Sequence, residues 1–142
     1  MKRYSRQDQT TMAVWAAYCA ERVLPLFEAA HPGDGRPHRA IEACRAWVET
    51  GVFRMVDIRG ASLAAHAAAR DGEEGSAARF AARAAGQAVA TAHVPQHAYG
   101  AAYYALKAVA AANPANAVAG VAAEREWQAA RLPEGLREEI ME

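Results

Sequence analysis

The chain has 142 residues, 53% apolar and 23% charged, and its 16 basic and 16 acidic side chains cancel. That length predicts a single domain, 1–142, whose core needs neither disulfide nor metal, and the composition excludes a disordered chain. Arginines interleaved with glutamates leave no basic run, so a nucleic-acid partner is not expected.

Alanine supplies about a quarter of the residues. It is the best helix former and too small to fill a core alone, so helices rich in it approach closely and larger side chains plug the gaps. Val, Ile and Thr do not alternate, which argues against strands. Six or seven helices in a compact all-α bundle are expected. The first runs from about Ser5 to Ala30, with Ser5 and Asp8 as a capping box and Met12, Trp15, Cys19, Val23 and Phe27 as its apolar stripe. Pro25 is expected to kink or split it near Val23–Leu24.

The segment "HPGDGRP" reads as a turn. A second helix starts near Pro37, buries Ala40, Ile41, Cys44, Trp47 and Val48, and ends at Gly51. A third covers about Met55 to Arg70. The fourth is capped by Ser76 and ends near His93, because Pro95 disfavours helix in the residue before it. The fifth covers about Gln96 to Ala112. It is apolar nearly all round, which predicts a central position and a partly buried Lys107. Asn113 is expected to cap the sixth, with Pro114 in its first turn. A last helix, Glu134 to Met141, has Leu136 and Ile140 on its apolar side. Trp15, Trp47 and Trp127 read as core plugs, and "EREW" (Glu124 to Trp127) as a solvated face.

Two stretches repeat weakly. "AIEACRAWVET" aligns with "AARAAGQAVAT" and "GASLAAHAA" with "GAAYYALKA", at spacings of about 41 and 40 residues. Two stacked helical hairpins, as in HEAT-like repeats, would give that period.

Cys19 and Cys44 fall on apolar faces and outside any CxxC pair, as buried free thiols of a reducing cytoplasm do. No charged-then-apolar leader opens the sequence and no run approaches about 18 strongly apolar residues, so a cytoplasmic protein without a membrane partner is expected. His93 and His97 stand four apart, a metal-ligand spacing on a continuous helix, but Pro95 interrupts it and no carboxylate or cysteine accompanies them. The plainer reading is a helix corner, with His93 facing free carbonyls at a helix end and His97 opening the next helix. Tyr99, Tyr103 and Tyr104 lie close together on the fifth helix, either as core filling or as a contact patch. No nucleophile motif, phosphate loop or paired-carboxylate cleft is present, so neither a catalytic residue nor a cofactor is assigned.

The segments "AVWAAYCAERVLPLFEAAHPGDGRPHRAIEACRAW", "ASLAAHAAAR", "ATAHVPQHAYGAAYYALKAV" and "EREWQAARLPEGLRE" together resemble a family of small helical bacterial immunity proteins. These are related to the fifth immunity family of polymorphic toxin systems. The resemblance runs from about Asp8 to Glu139. It implies an all-helical fold and neutralisation of a cognate toxin by binding. It also places Arg59, His66, Arg70, His93, His97, Tyr104 and Lys107 at signature positions. Tyr18 and the linker "VETGVFRMVDIRGAS" depart from the pattern.

The leading expectation is therefore a non-enzymatic monomer or homodimer that grips a toxin protein through a helical face. The alternative is a small-molecule- or metal-binding protein, which could be enzymatic, with a polar pocket formed by His93, His97, Lys107, Arg59 and His66. Convergence of those side chains in one concave site would favour the second.

Overall fold

A computed structural model describes the backbone of residues 3–141 and the side chains of residues 3–137. Helix α1 (Arg6–Ala30) begins at the expected capping box: Asp8 N donates to Ser5 Oγ at 2.9 Å and Ser5 N to Asp8 Oδ2 at 3.4 Å. Pro25 lies inside α1 without splitting it. Its ring faces solvent, where neighbouring side chains do not compete for space and water can satisfy the carbonyl it leaves free.

Six further α-helices follow: α2 (Arg36–Thr50), α3 (Met55–Asp71), α4 (Ala77–Ala90), α5 (His97–Ala112), α6 (Ala117–Ala130) and α7 (Glu134–Met141). No strand occurs among the described residues. Local signals set most boundaries. Gly51 ends α2 in the left-handed conformation at φ 70°, where a side chain would be strained. Ser76 Oγ caps α4 by accepting from Arg79 N at 3.2 Å. Asn113 behaves differently from expectation. Its side chain makes no cap hydrogen bond, and Pro114–Asn116 form a 3-10 turn before α6 begins. The Ile140 side chain lies outside the described side chains.

Helices α2 and α3 pack as one pair and α4 and α5 as another, while α3 also packs on α4. Helix α1 lies against α2, α4 and α5, and α6 covers α5. The central element is therefore α4, in contact with α1, α2, α3 and α5. Ala78, Ala81, Ala82, Ala84, Ala85, Gly86, Ala88 and Val89 are all buried, and such small residues let four helices approach one. The plugs come from α1 and α2: Met12, Trp15, Phe27, Ile41 and Trp47 are at most 4% exposed.

The fifth helix buries only Ala98, Ala101, Ala102, Ala105, Leu106 and Ala108. Lys107 and Tyr103 point to solvent, so the expectation of a partly buried Lys107 is overturned. An alanine-rich helix can be apolar all round without being enclosed.

Helix α6 holds two other departures. Glu124 is buried, not solvated, and accepts from Arg22 Nε and Nη2 at 2.7 and 2.8 Å. Trp127 is only half-buried, with the guanidiniums of Arg22 and Arg131 each 4.2 Å from its ring centre.

Candidate functional site

A row of polar side chains crosses α3, α4 and α5. His66 on α3 rests over Gly86 on α4, where an added Cβ would lie 2.7 Å from His66 Nε2. The next residue, Gln87, lies likewise over Gly100 on α5. Its Oε1 stands 2.7 Å from His97 Nδ1. An amide oxygen only accepts, so this bond assigns the proton to Nδ1 and leaves Nε2 with its lone pair. Burial lowers the His66 pKa, and Arg83, Arg70 and His97 press it the same way. Burial also lowers that of His97, aided by His93. Both imidazoles are therefore neutral at pH 7.

His93 closes the end of α4 through its backbone, whose N–H donates to the Ala90 carbonyl at 3.0 Å, and not through its imidazole. Gln9 Nε2 from α1 donates to the carbonyls of Thr91 and Ala92 at 2.9 and 3.1 Å, so that role is filled. The exposed His93 ring stacks instead on Phe53, with centroids 6.1 Å apart. It lines a cavity of about 280 Å³ together with Met55, Ile58, Arg59, Ser62 and Leu63.

Met55 and Leu63 of its lining belong to a run of apolar side chains that are exposed among the described residues. Nine large apolar side chains are exposed, and five of them (Val52, Phe53, Met55, Val56 and Leu63) fall within twelve residues. Val56 is 82% exposed. A cluster of this kind marks contact surface more than ordinary scatter does.

A second cluster occupies the other end of the α4–α5 pair. Phe80 stacks on Tyr104 at 6.3 Å, and Tyr103 meets Tyr104 edge-on at 5.3 Å. Lys107 Nζ stands 5.6 Å from the Tyr103 ring centre and 5.9 Å from that of Phe80, and Arg83 lies 5.8 Å from that of Tyr104. With Arg79 they line an open cleft of about 340 Å³.

The residues singled out from sequence thus separate into groups. Arg59 and His93 share the apolar cavity, whereas Lys107, Tyr103 and Tyr104 share the cationic cleft. His66 and His97 form the polar row between, and Arg70 acts on His66 from the exposed side of α3. Tyr99 turns the other way, edge-on to Trp15 at 6.2 Å, with its hydroxyl 3.2 Å from that of Tyr4. The three tyrosines therefore make no single patch, because Tyr99 points to the α1 side of the helix. No group of three or more His, Cys, Asp and Glu that could hold a metal ion occurs among the described residues.

Sequence reasoning missed Phe80, Arg79, Arg83 and the exposed apolar run after Gly51. One signal for the cationic residues was present: from Gly75 to Ala123 there are three cations, Arg79, Arg83 and Lys107, and no Asp or Glu. A neutral chain therefore carries a locally positive face.

The described residues thus form an all-helical fold with polar and apolar clusters on open faces. The model of the family described as "Imm-5 like putative immunity protein" matches residues 2–135. The chain belongs to that family. No curated protein and no solved structure matches the chain. No helix among the described residues is long and apolar enough to cross a membrane.

Proposed function

We propose that this chain is the immunity partner of a toxin protein, which it neutralises by forming a stoichiometric complex without turnover. Family membership supports the class of function. The observation that carries the reading further is the exposed apolar cluster Val52–Leu63. Arg54 and Arg59 border it, and the positive face of α4 and α5 belongs to the same molecule. An apolar centre with a polar rim is the anatomy of a protein interface, and the cations select a partner surface of negative charge.

Co-expression with the toxin encoded beside it tests this. The chain restores growth, and the purified pair titrates to a 1:1 complex. Absence of both protection and binding would refute the reading. A second copy of this chain could cover the same cluster. In that case the chain sediments as a dimer that Val56→Asp returns to monomer, and the toxin fails to compete.

A further inference from the structure

The cleft of Arg79, Arg83 and Lys107 has a definite ligand chemistry. Two of its three cations rest against different rings. Arg83 lies over Tyr104, while Lys107 stands over both Phe80 and Tyr103. None of the three forms an ion pair with a described carboxylate. By contrast, Arg22, Arg36 and Arg45 are each matched to an acidic side chain on the same molecule. Rings beside Arg83 and Lys107 narrow the freedom of these two side chains, so less of it is lost when an anion arrives.

A phosphate site gathers backbone N–H groups or a bidentate fork around one anion. Here Arg83 and Lys107 stand over different rings of an open cleft, and Glu74 on its wall opposes a compact dianion. Separate single charges fit better. We propose that this cleft receives aspartate and glutamate side chains of the partner protein, so that the partner's docking segment is acidic. The assignment rests on the immunity reading for the identity of the partner, but the cleft's preference for carboxylates can be measured without it.

Two measurements test it. In the first, the isotopically labelled chain is titrated with acetylated hexaglutamate and, separately, with pyrophosphate. Saturable amide shifts confined to 79–83 and 103–107 are expected with the peptide. Their absence, or tighter binding of pyrophosphate at the same residues, overturns the proposal.

The second uses the toxin. Its association rate falls about tenfold or more between low and high salt, as steering by opposite charge requires. Arg83→Glu with Lys107→Glu lowers the low-salt rate about tenfold. The control pair Arg39→Glu with Arg125→Glu, which changes net charge equally at exposed positions, alters it less than about twofold. Lys107→Glu alone, at an exposed site, serves if the double variant loses its helical spectrum. Equal effects of the two pairs, or a rate insensitive to salt, refute the carboxylate assignment while the complex still forms. A toxin that fails to bind the unsubstituted chain refutes the immunity reading, and the peptide titration then decides the cleft.

Discussion

His66 and His97 are set to report acidity through stability. Burial is the first cause of the lowered pKa in both, with Arg83 and Arg70 adding to it for His66 and His93 for His97. In the unfolded chain both return to the ordinary value of 6.5. Between that value and the lower folded ones, the unfolded state binds more protons, so stability is full above about pH 7 and falls as pH drops through 6.5. Thermal melts between pH 7.5 and 5 should show this decline, and His66→Asn with His97→Asn should flatten it. An unchanged slope in the double variant would place the effect elsewhere.

The thiols obey the same logic. Burial pushes Cys44 up to about 12, and burial with the nearby Glu124 carboxylate pushes Cys19 up as well. Cys44 Sγ also donates to the Ala88 carbonyl at 3.3 Å. Neither thiol should react with a water-soluble disulfide reagent at pH 8 until the chain unfolds. A fast phase in the native protein would contradict the burial.

At the scale of elements, the contact between α3 and α4 depends on one missing methyl group. Gly86→Ala restores helix propensity, a gain of about 1 kcal/mol, but its Cβ meets the His66 ring at 2.7–2.9 Å. Overpacking of this kind costs about 1–3 kcal/mol, so the single variant should be less stable in urea denaturation. In a His66→Ala background the clash is gone, and Gly86→Ala should instead stabilise by about 0.5–1 kcal/mol. A double-mutant cycle with zero interaction energy would mean the ring does not occupy that notch.

The same element shows what sequence could reveal. Ser5 with Asp8, Gly51 and Ser76 act within one turn of themselves, so each boundary they set was readable from neighbours in the chain. That α4 and not α5 is enclosed was not readable. Both are alanine-rich, and the difference lies in α1, α2 and α3 converging on α4 from distant parts of the sequence. The exposure of Lys107 follows from that arrangement. So does the position of Trp127, whose two flanking arginines come from α1 and from the end of α6.

For the whole molecule, the histidines, Lys107 and the tyrosines drew notice as unusual residues in alanine-rich surroundings, and three of them do lie on the open α4–α5 face. The apolar run Val52–Val56 stood out only as part of a linker that departs from the family pattern, because local sequence does not say which apolar residues the fold leaves uncovered. That distinction supplies a test separating folding from function. Val56 is almost wholly exposed and Leu63 more than half so, so neither stabilises the bundle appreciably. Val56→Asp with Leu63→Asp should change stability by no more than about 0.5 kcal/mol per site, since surface substitutions away from caps and buried pairs are nearly neutral. If this cluster is the centre of the toxin interface, the same variant loses at least about 2 kcal/mol of affinity, close to thirtyfold in Kd. Protection in co-expression should weaken with it. Calorimetry of the complex beside a melting curve of the free chain reads both quantities. Full affinity with unchanged stability would remove the apolar cluster from the interface and leave the cationic cleft as the docking face.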